Sequence, residues 1–181
     1  MILNSNYNLV ALEGTFVNTL EKLKQYIKAN LEEPVFMSTL PLECDMAMPK
    51  RLCKMGSIQE YMEKEKEDNT FTSLLFSYID SKGLKDSDIY HKANVDRRLF
   101  SKIRSNEFYH PKKETVIALG LALELTIEDF EKLLTSASYS LPKNNVFDLI
   151  IRFCVMEKIY NLIEVNALLS EYLCPLLGNE D

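Results

Sequence analysis

From Thr70 to Ala137 no helical pattern of apolar residues runs further than about a dozen residues before a capping or terminating residue cuts it. FTSLLFSYIDSKG places Phe71, Leu74, Leu75, Tyr78 and Ile79 on one side of a helix, with Asn69 or Thr70 as its cap and Gly83 as its stop. KDSDIYHKAN gives a second short helix ending near Asn94, a residue that tolerates the left-handed conformation. Asp96 then offers a carboxylate to the free N–H groups of a third helix, RRLFSKIRS. His110 and Pro111 separate it from KKETVIALGLALEL, where Pro111 suits a helix start. Thr126 with Asp129 makes a capping-box-like opening for IEDFEKLLTSA. Five short helices joined by turns of a few residues are expected here.

The flanks are of different character. Leu9, Leu12, Phe16, Leu20, Leu23, Ile27 and Leu31 recur at steps of three or four, so residues 1–31 form an amphipathic helical arm, predicted to be helical from about Glu13 to Asn30. Its apolar stripe suits packing onto the rest of the chain, or a dimer seam. In residues 32–69 Pro34, Pro41 and Pro49 break every pattern, and a Met-rich linker is followed by the charged IQEYMEKEKEDN. Residues 138–181 predict two more helices, with Phe147, Ile150, Ile151, Phe153, Cys154, Ile159, Tyr160 and Ile163 covering an apolar face. That face extends the domain core or serves a homodimer. With five Gly and six Pro in 181 residues, and 46% hydrophobic side chains, the fold class expected is all-α.

Several functions are disfavoured. The longest apolar run, from Val116, is far short of the roughly 20 residues that span a bilayer, and no leader pattern stands at the start, so a cytoplasmic protein without a membrane partner is expected. Cys44, Cys53, Cys154 and Cys174 form no CxxC pair, and His91 and His110 lie far from them, so no metal site, disulfide framework or cofactor is signalled. No glycine-rich phosphate loop, GxSxG or HExxH occurs, and the chain is not expected to be an enzyme.

Charge is unevenly spread. Between Ser81 and Thr115 there are nine Lys or Arg against five Asp or Glu, a local excess of +4 in a chain whose net charge is −6. The rest therefore carries −10, and a local anion-binding face in an acidic host has this asymmetry.

The order and spacing of the five helices resemble the phage-repressor type of helix-turn-helix domain, the Xre or lambda-repressor-like family, over residues 70–137. LKDSDIYHKANV, from Leu84 to Val95, falls on the family's second helix and turn, DRRLFSKIRSN on its third helix, and VIALGLALELTIEDFEKLL on its fourth and fifth. The resemblance implies a five-helix repressor-like domain whose helix 96–106 enters the major groove of double-stranded DNA. Ile89, Leu99 or Phe100, and Ile103 would face inward. Arg97, Arg98, Ser101 and Lys102 are then the candidate base-reading residues, and Lys92, Arg104, Lys112 and Lys113 the candidate phosphate contacts. Three positions depart from the family's pattern: Asp86 where a phosphate-contacting Gln is common, Tyr90 in place of a small Ala, and Asn94 in place of Gly.

Two functions follow as expectations. One is a small bacterial or phage DNA-binding transcriptional regulator, acting as a homodimer. The other is a protein–protein adaptor on the same scaffold, receiving a partner through residues 1–69.

Overall fold

The computed structural model describes residues 5–31, 70–107 and 109–178, with side chains of the first helix from Thr15 onward. Among them the chain is all-helical. The eight helices of the described residues are α1 Ser5–Asn30, α2 Phe71–Ser81, α3 Asp86–Lys92, α4 Arg97–Ser105, α5 Lys113–Ala122, α6 Ile127–Ser136, α7 Val146–Met156 and α8 Leu162–Glu171. No helix among the described residues is long and apolar enough to cross a membrane.

The apolar run VIALGLA dictates the layout. Every residue of α5 from Thr115 to Ala122 is buried, so this helix has no solvent face and must be enclosed. α3, α6 and α8 pack around it, α2 lies on α6, and α7 bridges α6 and α8. A helix sheathed this closely needs somewhere for a neighbour to approach. Gly120 provides it: a Cβ there would lie 2.7 Å from Cε2 and 2.9 Å from Cδ2 of Phe130 on α6.

Six of the eight helices end in one way. Gly83, Asn94, Glu124, Ser138, Lys158 and Leu173 take left-handed φ values of +49° to +62°. The residues that follow them are Leu84, Val95, Leu125, Tyr139, Ile159 and Cys174. Each donates its N–H to the carbonyl five residues back, at 2.8–3.4 Å. This pairing closes the last turn, and the apolar residue after it folds back onto the core. Five of the six left-handed residues are not glycine, each at roughly 1 kcal/mol of strain. α4 ends differently, running out through Asn106 in extended conformation.

The predicted caps take the expected bonds. Thr70 accepts from the Ser73 N–H at 3.2 Å, Asp96 from Arg98 at 2.6 Å and Thr126 from Asp129 at 3.4 Å. Pro111 differs from expectation: it is buried and stands before the cap Lys112 rather than inside the helix. Its carbonyl accepts the Tyr139 hydroxyl at 3.1 Å, which holds the loop that enters α5.

α1 begins at Ser5, well before Glu13, because one interior glycine, Gly14, costs a helix about 1 kcal/mol without ending it. Leu23 and Ile27 of its stripe are buried, and Tyr26 lies against Phe153 of α7 with ring centroids 5.5 Å apart. The expected linker and charged segment, residues 32–69, fall outside the described residues. α7 and α8 form as anticipated and share the core, with Ile150, Ile151 and Cys154 fully buried. The Cys154 thiol is pushed up to about 12 by burial, the behaviour of an apolar filler. Ile163 contradicts the apolar-face reading, being 79% exposed. α8 turns Val165, Leu168 and Leu169 inward, and at 100° per residue Ile163 then points away from them.

Gly120→Ala should therefore destabilise the fold by about 1–3 kcal/mol despite the better helix propensity of alanine, because the overpacking against Phe130 exceeds the propensity gain. Urea denaturation of the two proteins checks it. Unchanged or raised stability would show that α6 can move off α5.

Candidate nucleic-acid interface

α4 is short and strongly two-sided, and the contacts that seat it are aromatic. Phe100 and Ile103 are buried, and the Phe100 ring lies 5.7 Å from both Phe76 of α2 and Tyr90 of α3. Tyr90, which departs from the small residue of the repressor-like pattern, thus fills the crossing of α3 and α4 as a half-buried ring, with the His91 ring tilted against it at a centroid distance of 4.6 Å. The Thr72 hydroxyl adds a bond to the Ile103 carbonyl at 3.4 Å.

With Phe100 and Ile103 inward, helical geometry points Arg98, Ser101, Lys102 and Ser105 directly outward and sets Arg97 and Arg104 along one flank. All six are exposed. Arg97 and Arg98 make no side-chain bond or ion pair among the described residues. Lys102 stretches over the Tyr109 ring, its Nζ 4.6 Å from the centroid. That contact orients the chain while leaving the charge at the surface. The four candidate base-reading residues thus lie on or beside one open face.

The four candidate phosphate contacts are differently placed. Arg104 pairs with Asp86 at the start of α3 and lies over the Phe76 ring, its Cζ 4.6 Å from the centroid. The carboxylate that departs from the family's pattern is thereby matched by a cation of this chain. Lys92 pairs with Glu124 at 3.1 Å, both side chains more than half exposed. Such a pair contributes about 0–1 kcal/mol and can open to release Lys92. Lys112 is exposed at the cap of α5. Lys113 turns inward instead, and its Nζ is 2.5 Å from Oδ1 of Asp148.

Asp148 is the most deeply buried charged group among the described residues, 1% exposed on α7. Burial raises its carboxyl above the ordinary range, partly offset by the hydrogen bond and charge of Lys113. The pair ties the start of α5 to α7, which makes Lys113 a structural cation. Sequence reasoning missed this partner, although a lone acid inside VFDLIIRF is the signal that such a run gives. It also missed Phe76, Tyr109 and Tyr139, whose roles depend on contacts between helices.

No family model matches the chain, and neither a curated protein nor a solved structure does. Among the described residues no group of three or more His, Cys, Asp or Glu is placed to hold a metal ion. What the arrangement offers is a cationic helix face, exposed among the described residues, on an aromatic seat.

Lys113→Met should cost about 3 kcal/mol at pH 7, because it leaves the Asp148 carboxylate buried without its cation. A folded-state pKa above the unfolded value means that stability is greatest at low pH and lost as pH rises through the folded value. Removing Lys113 raises that value further, so the deficit should shrink as the pH is lowered from 7 to 5. Asp148→Asn, neutral and of similar size, should cost less than about 1 kcal/mol at neutral pH. Denaturation curves at the two pH values decide it, and a Lys113→Met deficit independent of pH would remove Asp148 from the explanation.

Proposed function

We propose that the chain is a DNA-binding regulator of the repressor-like helix-turn-helix type, with α2 to α6 as its five-helix unit and α4 entering the major groove. The observation that carries this reading is the outward face of α4: Arg98, Ser101 and Lys102, flanked by Arg97, with no partner for either arginine among the described residues. A helix of this size fits the groove, and its N-terminal residues are the ones such units bring to base edges. Arg98 is the residue best directed for paired bonds to guanine O6 and N7. A cytoplasmic homodimer would present two such helices about 34 Å apart, doubling the contacts.

The flanking cations support a modest electrostatic contribution. This reading turns the exposed Arg97, Arg98, Lys102 and Lys112 toward phosphate, with Lys92 released at small expense, while Arg104 and Lys113 are taken up by Asp86 and Asp148. The same neutralisation favours a second reading. A protein adaptor with a net charge of −6 would present this face to an acidic partner protein, with no nucleic acid involved.

Fluorescence anisotropy on labelled duplexes across a salt series tests both readings. The slope of log K against log salt should be about −3 to −4 per protomer, against about −6 if all seven candidate cations met phosphate. Arg98→Ala should lower affinity for the preferred sequence about 10- to 100-fold and relax the preference. Lys112→Ala should weaken all sequences alike. Absence of binding at low salt would sink the DNA reading and leave the adaptor.

A further inference from the structure

The last described residues run back to the turn that launches α4. Leu177 is fully buried, and its backbone is gripped at both ends by one side chain: its N–H donates to Asn166 Oδ1 at 2.9 Å, and its carbonyl accepts from Asn166 Nδ2 at 3.0 Å. The carbonyl of the next residue, Gly178, accepts from Asn94 Nδ2 at 2.7 Å. Asn94 is the left-handed residue of the turn between α3 and α4, with φ +49°. Gly178 also sits at positive φ, +77°, and a Cβ on it would lie 2.9 Å from Cβ of Asn94 and 3.0 Å from Leu162. The segment 174–178 is therefore fitted against the turn. A cleft of about 330 Å³ is lined by both, with Asp96, the cap of α4, on one wall and Leu176 on the other.

This contact accounts for a departure from the family's pattern. Glycine would meet the backbone demand of the turn at lower strain, but it has no amide with which to hold Gly178. Asn94 meets both demands at once.

We propose that residues 174–178 act as a strap, held by Asn166 and Asn94, which fixes the α3–α4 turn and so positions the DNA-facing side of α4. The strap acts through the turn, and Asn94 is a positioning residue, not a contact to bases. The proposal rests on the DNA reading above, and its test separates the two.

Two full-length variants release the strap from opposite sides. Asn94→Gly keeps the left-handed turn and deletes the amide; Gly178→Ala keeps Asn94 and pushes the strap away. Amide hydrogen exchange at Val95 and Arg98 should quicken about fivefold in each beyond any change in global stability, the size expected for one net hydrogen bond. DNA affinity should fall about fivefold with the salt slope unchanged, because no phosphate-facing charge is altered. A defect confined to overall folding would not produce that combination. Unchanged exchange at the turn in both variants would overturn the strap. Faster exchange with unaltered affinity would overturn its positioning role. If the wild-type protein bound no DNA, the DNA reading and the positioning role would fall together, while exchange would still report whether the strap holds the turn.

Discussion

The fold depends on a helix with no outside. α5 buries every residue from Thr115 to Ala122, with α3, α6 and α8 packed around it. That constraint keeps α5 short, places its N-terminus in contact with the buried Asp148 through Lys113, and calls for Gly120 where Phe130 approaches. It also explains why the chain does not stop at α6. α8 packs on α5 and α7 bridges α6 and α8, and the two helices add Ile150, Ile151, Val165 and Leu169 to the buried core.

The all-helical class and the helix starts were legible because they are written in local chemistry. Thr70, Asp96 and Thr126 are small oxygen-bearing residues at the positions where free N–H groups need acceptors. The helix ends were harder to read. Gly83 and Asn94 announce themselves, but Glu124, Ser138, Lys158 and Leu173 adopt the same left-handed conformation without any residue preference to reveal it. What holds them is the following apolar residue folding onto the core, and that is a tertiary effect. Ile163 was misread for a related reason. An apolar composition around α8 suggested a covered face, whereas the register set by Val165 and Leu168 turns Ile163 outward.

For the candidate site, sequence alone sufficed to select the basic residues but not to sort them. Seven cations crowd between Lys92 and Lys113, and nothing in their spacing says which already have partners. Three-dimensional pairing separates them. Lys113 answers a buried carboxylate, Arg104 answers Asp86 between two helix ends, and Lys92 forms an exposed pair that solvent screens. The outward surface of α4 is consequently less charged at its margins than the sequence suggests, and its cationic character is concentrated at the N-terminal half of the helix.

That concentration bears on how an acidic chain could recognise an anion selectively. A broad basic surface attracts phosphate wherever it meets it, and most of its affinity is independent of sequence. Here the margins are neutralised internally and the remaining charge sits on a helix held by Phe76, Phe100 and Tyr90 at its base, with the strap at its leading turn. On the DNA reading proposed above, reducing non-specific attraction while stiffening α4 would shift the balance from affinity toward discrimination. Bidentate bonds from an arginine reward that stiffness, because both must form in one plane. Asp86 and Tyr90, which depart from the repressor-like pattern, are on that reading part of the means by which the face of α4 is narrowed and held.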